Sequence, residues 1–359
     1  MASPCVPEFY TIKRPCSTGT EALRSEIPSA LKRRPISGRI PPMLNALRSV
    51  FPIIFMIGLG FVLAKKKWFE GDSSSLISRL VLNIALPAFM VSNLLSGYDK
   101  AKLLSMLPGL PVPFVGIWVS FAIAVLLARL FKVKKGRRGV FACMFTLSNG
   151  VFIGVPLNLL LFGDESLPYS LFYYIANTTT LWTLGSYGIA MDAHLVSGRP
   201  KPSLISLSGL RRILSPPLLA LLFAGVLILA GITLPKSLLD TFRIIGNMTT
   251  PLSMIFIGIM IARVDWRKIH FGADINLVMA GRFLITPFIL YLFLRGRDFP
   301  LMMKQVLFLQ STMPVLAQTP ILAAAYGADS EYAGLGTSIS TVLGIVVIPL
   351  FMSLVMVMF

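Results

Sequence analysis

The sequence predicts an all-α membrane protein with ten transmembrane helices in two inverted five-helix repeats, and three observations support this. Hydrophobic residues make up 55% of the 359 residues and charged residues only 13%, whereas a soluble domain carries about 25% charge. The apolar residues form long runs, such as 114–127 and 216–232, which a water-facing surface could not contain. Patterns in the first half of the chain recur 164 residues later.

Residues 1–42 differ in composition from the rest of the chain. They are rich in Ser, Pro and Arg, and they contain seven basic residues and three glutamates but no apolar run. Such a composition is typical of a disordered tail. Two alternatives are an organelle transit peptide and an upstream extension that precedes a natural start at Met43.

Ten apolar segments follow, most of them near 20 residues, which is roughly the length that a helix needs to cross a hydrocarbon core. They lie at 44–64, 75–95, 109–130, 139–161, 168–191, 215–232, 241–261, 274–294, 303–325 and 334–358. We divide them into a first repeat at 43–192, a cytoplasmic linker at 193–214 and a second repeat at 215–359.

The repeat is visible in residues that recur at one spacing within these apolar segments. Arg79, Asn83, Pro87, Val151, Pro156 and Gly163 recur as Arg243, Asn247, Pro251, Val315, Pro320 and Gly327. Five spans per copy is an odd number, so the two copies must enter the membrane in opposite orientations. Inverted repeats with interrupted helices are typical of secondary transporters.

Basic residues predict the orientation of the chain. The formal net charge is +18, but the Lys and Arg residues cluster in short segments between apolar runs, which argues against a nucleic-acid-binding face. The loops after spans 1, 3, 5 and 7 are the richest in Lys and Arg, so we place them in the cytoplasm and both termini outside. The basic tail argues for the reverse orientation. We expect a plasma-membrane protein, or an organelle-membrane protein if the tail is a transit peptide.

Spans 4 and 9 are interrupted at equivalent positions, at 146–156 and 310–320, by prolines and polar residues. A proline inside a helix costs about 3 kcal/mol, and unsatisfied backbone groups in hydrocarbon cost several kcal/mol each. We therefore predict a midplane binding site made of broken helices. The helix starts after each break would favour an anion, most simply a carboxylate. The alternative is a pair of proline kinks whose polar side chains bond neighbouring helices.

The candidate substrate-binding residues lie in these two interruptions. They are Ser148, Asn149, Gly150, Gly154, Pro156, Gln310, Thr312, Pro314 and Gln318. Arg79, Arg243, Arg282 and Lys304 are candidates for gating or anion attraction, and snorkelling to the interface is the alternative for each. For Asp192 and His194 the alternatives are a solvated helix end and a proton relay.

Several of these motifs resemble those of the auxin efflux carrier family, which includes bacterial organic-acid permeases. The similar stretches are Asn149-x4-Gly154-x-Pro156, Gln310-x3-Pro314, 79–87 and 181–183. The resemblance covers residues 43–359 and is strongest to the compact bacterial members. It implies crossed helices 4 and 9, a scaffold of spans 1, 2, 6 and 7, and a moving bundle of the other six spans. It also implies that Asn149 binds the substrate carboxylate and that the protein is a homodimer.

The predicted function is a secondary transporter that moves small organic anions by alternating access. A sodium-coupled bile-acid-type symporter, which shares the inverted-repeat plan, is an alternative. An intramembrane enzyme is a more remote one, because the chain has only two histidines and no His-Glu-x-x-His motif. We expect no catalytic residue, metal or cofactor. The expected partners are the anion, the lipid bilayer and a second copy of the chain.

Overall fold

The computed structural model describes residues 42–69, 73–198, 202, 214–263 and 272–359. A compact unit spans Met43–Phe359. The predicted tail, apart from Pro42, and most of the predicted linker lie outside the described residues.

In the first half, the described helices follow the predicted apolar segments, with one exception. They are α1 (Pro42–Lys65), α2 (Ser73–Leu80), α3 (Leu86–Gly97), α4 (Lys100–Met106), α5 (Pro111–Leu130), α6 (Arg138–Thr146), α7 (Val155–Phe162), α8 (Leu167–Thr180) and α9 (Ser186–Ser197). The exception is α4, which lies between the predicted segments 75–95 and 109–130. Helix α9 continues beyond the predicted end of the first repeat at residue 192.

The second half follows its predicted segments in the same way. Its described helices are α10 (Pro216–Ala230), α11 (Lys236–Gly246), α12 (Thr249–Ala262), α13 (Ala273–Ala280), α14 (Thr286–Leu294), α15 (Leu301–Ser311), α16 (Gln318–Tyr326) and α17 (Ser330–Met358). Five helical stretches in the described part are long and apolar enough to cross a membrane, namely Leu76–Gly97, Lys100–Leu130, Lys236–Ala262, Ala273–Leu294 and Ser330–Met358.

Several of these helices are joined by five-residue π-helical turns, at Val81–Ala85, Gly150–Gly154, Leu181–Gly185 and Gly281–Ile285. Such turns insert an extra residue into a helix, re-aim the side chains that follow, and are frequent at functional sites. The first of them contains Asn83, and its counterpart Asn247 lies where α11 ends and α12 begins. Both copies therefore carry a helix irregularity at the repeated asparagine.

The helices pack in two groups. In one group α10 and α11 pack on α3, and α1 crosses α12 with the backbones in contact, since a Cβ on Gly258 would lie 2.1 Å from the Ile57 carbonyl oxygen. In the other group α5 packs on α6, α8 and α14, α15 packs on α8 and α14, and α16 packs on α9 and α17. The interruptions of spans 4 and 9 belong to the second group.

Candidate functional site

The two interrupted helices meet at their breaks, in what we call the crossover, residues 146–150 and 310–318. Helix α6 ends at Thr146 and α15 ends at Ser311. The extended segments that follow pair in antiparallel fashion: Asn149 N donates to Pro314 O at 2.8 Å, and Leu316 N donates to Leu147 O at 3.1 Å. Each break thus supplies the other with backbone hydrogen bonds that hydrocarbon could not provide.

Two further side chains hold these extended segments. The Asn177 side chain on α8 accepts from Ser148 N at 3.1 Å and donates to Ser148 O at 3.0 Å. In the other copy, Ser340 Oγ on α17 accepts from Val315 N at 3.0 Å. Sequence reasoning missed both residues. The repeat gave an approximate indication that the two residues are related, because the 164-residue offset takes position 177 to position 341, next to Ser340.

Arg282 lies at the centre of the crossover. Its side chain is fully buried and donates to the carbonyl oxygens of Thr146 and Ser311, the last residues of α6 and α15. Carbonyl groups at a helix C-terminus have no partner within the helix and carry partial negative charge, so one guanidinium stabilises two helix ends. The snorkelling alternative is wrong for Arg282, which the π-helical turn at Gly281–Ile285 directs into the protein.

Several buried polar atoms around the crossover have no hydrogen-bond partner within the protein. They include Thr146 Oγ1, Ser148 Oγ, Asn149 Oδ1, Arg282 Nε, Gln310 Oε1, Gln310 Nε2 and Thr319 Oγ1. An unsatisfied buried group of this kind costs about 1–3 kcal/mol, and most such groups in proteins are paired. A cluster of them at one point therefore indicates a place where a polar ligand or water is held.

The glycines of span 4 make room for Gln310. A Cβ on Gly150 would lie 2.6 Å from Gln310 Oε1, and one on Gly154 would lie 2.1 Å from the same atom. At either distance an added Cβ would force the Gln310 side chain to move. Asn149 precedes the π-helical turn at Gly150–Gly154 without capping it, and its buried Oδ1 has no hydrogen-bond partner within the protein.

The other predicted binding residues also lie at or beside the crossover. Pro156 is buried in the first turn of α7. Thr312 is buried, with Oγ1 donating to Leu309 O at 2.8 Å. The ring of Pro314 packs on α17, and Gln318 is half-buried at the start of α16.

The remaining predicted charges do not gather there. Arg79 is exposed, and Lys304 is half-buried in the first turn of α15. Arg243 is exposed and lines a polar cavity of about 210 Å³ together with Asn247, at the ends of α3 and α11. Asp192 is buried rather than solvated, which contradicts the expected solvated helix end.

An apolar surface joins the crossover to the first helix group. The rings of Phe152, in the π-helical turn of span 4, and Phe256, on α12, have centroids 4.7 Å apart. A cavity of about 110 Å³ lies beside Pro314, with walls that include Ile54, Ile257 and Ile348 from α1, α12 and α17. The polar crossover therefore faces an apolar interface between the two groups of helices.

The fold and the site are those of a polytopic helical membrane protein whose polar centre is built from interrupted helices. This arrangement is typical of membrane transport proteins. The chain belongs to the Mem_trans family, described as membrane transport proteins, whose model matches residues 45–352. This confirms the resemblance to the auxin efflux carrier family.

Three curated relatives extend over most of the chain. It is 26% identical over 318 residues to an uncharacterized transporter of Methanothermobacter thermautotrophicus, covering 86% of this chain and 97% of the relative. An uncharacterized transporter of Methanocaldococcus jannaschii is 24% identical over 290 residues, covering 78% and 89%. A Rhizobium meliloti protein named "Putative malonate transporter" is 23% identical over 301 residues, covering 82% and 91%. The family and these names are those of transporters rather than enzymes.

Proposed function

We propose that this protein is a secondary transporter that moves small organic anions, carboxylates in particular, by alternating access at the crossover. One observation supports this most directly: two broken helices meet at a buried arginine, surrounded by polar side-chain atoms that have no partner within the protein. In this proposal Asn149, Gln310 and Ser148 supply the hydrogen bonds that orient the substrate.

Charge favours an anion at this site. Arg282 donates to two backbone carbonyls, which stabilise the guanidinium without cancelling its full positive charge. The helices that start after each break direct backbone N–H groups toward the same region. The name of the Rhizobium meliloti relative, a malonate transporter, makes dicarboxylates the first substrates to test.

The contacts also support the proposed inverted arrangement of ten helices. Helix α6 begins beside Asp192 at the end of span 5, since Gly139 N donates to its carboxylate at 2.7 Å. Helix α15 begins beside the start of span 3, where a Cβ on Gly109 would lie 2.6 Å from the Met303 side chain. The two half-helices thus approach the crossover from opposite ends, as inverted repeats require.

Ion pairs between loops are consistent with the proposed orientation. Arg137 Nε lies 2.7 Å from Asp329 Oδ2, which joins the loops after spans 3 and 9. Lys102 Nζ lies 3.8 Å from Glu165 Oε1, which joins the region after span 2 to the loop after span 4. Both members of each pair therefore fall on the same predicted side of the membrane, the first pair in the cytoplasm and the second outside.

Alternating access would come from movement of the second helix group against the first. The interface between the groups beside the crossover is apolar and includes Phe152 and Phe256. Apolar contacts are non-directional, so they resist sliding less than hydrogen bonds would. We expect that a shift of this interface exposes the crossover to each side in turn, with α1, α2, α3, α10, α11 and α12 as the scaffold.

The test is uptake of labelled malonate and other dicarboxylates into proteoliposomes that contain purified protein. We expect Asn149→Ala to reduce uptake at least tenfold, because loss of one hydrogen bond to a charged ligand costs about 1.5–3 kcal/mol. Asn276→Ala is the matched control, because Asn276 is exposed on α13 and is not one of the crossover residues, and it should transport like the wild type. Equal uptake by wild type and Asn149→Ala would refute the site.

Two further outcomes separate the alternatives. Uptake that requires sodium would favour the sodium-coupled symporter over a carrier driven by the anion gradient or the membrane potential. Hydrolysis of a substrate by the purified protein would favour an enzyme.

A further inference from the structure

A cavity of about 640 Å³ lies between α5, α6 and α9, and none of the crossover residues lines it. At its base α6 and α9 touch through their backbones, since a Cβ on Gly139 would lie 2.1 Å from the Gly188 carbonyl carbon. Apolar side chains, including Phe121, Val125 and Leu184, form most of its walls. The cavity is thus mainly apolar and large enough for part of a hydrocarbon chain.

Three cations surround one end of this cavity. Arg129 and Lys135 are exposed and Arg138 is half-buried, and all three contribute to its lining. Among the residues that line it, the one acid is Asp192, whose carboxylate accepts two backbone N–H groups of the first turn of α6 at 2.7 and 2.9 Å. The Asp192 carboxylate is therefore already bonded, and the cavity end has an excess of positive charge.

The helices beside the cavity carry aliphatic side chains on the outside. Leu126 is 63% exposed and Leu130 is 68% exposed on α5, and Leu195 is 56% exposed on α9. In a membrane protein such a surface faces hydrocarbon. A ligand that enters from this side meets an apolar groove with cations near the end of a span. A small soluble anion would match only the cations and would leave the apolar walls unfilled.

We propose that this groove, bounded by α5, α6 and α9, binds a phospholipid with an anionic head group. The head-group phosphate lies near Arg129 and Lys135, and one acyl chain lies along Phe121 and Val125. Basic pockets between transmembrane helices on the cytoplasmic side bind acidic lipid head groups by this combination of charge and burial. The lipid would contact both the start of α6 and the end of span 5, and so would stabilise one end of the second helix group.

Native mass spectrometry of the full chain in detergent tests the proposal, with phosphatidylglycerol and phosphatidylcholine of identical acyl chains as probes. We expect phosphatidylglycerol to bind more tightly than phosphatidylcholine. The double variant Arg129→Gln/Lys135→Gln should weaken phosphatidylglycerol binding about 30-fold, which corresponds to about 1 kcal/mol for each cation. The matched control is Lys132→Gln/Lys134→Gln, which removes the same charge from exposed side chains just after α5, and it should bind within twofold of wild type.

A second variant tests the apolar part of the groove. Ala122 lines the cavity from α5 and is exposed, so Ala122→Phe should fill the groove without disturbing the fold and should weaken phosphatidylglycerol binding at least tenfold. Equal binding by the double variant and its control would overturn the proposal. So would displacement of phosphatidylglycerol by glycerol phosphate, because that would identify a site for a soluble anion.

Discussion

Replacement of Arg282 should destabilise the protein in a graded order. In Arg282→Met the carbonyl groups of Thr146 and Ser311 lose their buried donor, at about 1–3 kcal/mol each, or about 2–6 kcal/mol together. Relief from burying a charge offsets part of this cost. We therefore expect a loss of about 2–3 kcal/mol. Arg282→Lys should fall between wild type and Arg282→Met, because an ammonium group lacks the planar fork that reaches two carbonyls at once.

Thermal unfolding of the detergent-solubilised protein, followed by the loss of monodisperse material, measures this order. Arg243→Met is the control, since Arg243 is exposed, and it should change stability by less than about 0.5 kcal/mol. If Arg282 served only to attract the substrate, Arg282→Lys would be as stable as wild type and Arg282→Met would be equally or more stable. Either result would refute the role of Arg282 as a bridge between two helix ends.

Three other substitutions test neighbouring features. Gly154→Ala should displace the Gln310 side chain, because the added Cβ would lie 2.1 Å from Gln310 Oε1. We expect a higher KM for the anion and a loss of at most about 1.5 kcal/mol in the free energy of unfolding. An unchanged KM would contradict this. Asn177→Ala should lower the free energy of unfolding by about 2–6 kcal/mol, because it leaves a buried N–H and a buried carbonyl of Ser148 without partners. A thermal midpoint equal to that of the wild type would contradict this expectation. Arg137→Gln should lower the free energy of unfolding by about 1 kcal/mol or less, and by less still in high salt, because the ion pair with Asp329 is partly exposed. A larger loss that does not depend on salt would contradict this.

Much of the helical plan could be predicted from the sequence, because the physical demands of a bilayer are local. Each long apolar run must form a helix to satisfy its own backbone in hydrocarbon, and the described helices except α4 follow the predicted segments. The interruptions at 146–156 and 310–320 could be located because proline and glycine disturb a helix wherever they occur. The duplicated pattern also indicated that the two interruptions occupy equivalent positions in the two repeats. These signals lie within a few residues of one another in the chain.

The partners of the interrupted segments are decided by tertiary structure. Asn177 looked like one more polar residue in an apolar span, and its double hydrogen bond to Ser148 depends on how α8 packs beside the break. Arg282 looked like a charge able to reach the interface, yet it lies between two helix ends that are 136 and 29 residues away in the chain. Composition and periodicity determine that a segment is helical and buried in the membrane. Which carbonyl a buried side chain meets depends on contacts between distant segments, because hydrogen bonds form over about 3 Å and only the packed helices bring those atoms together.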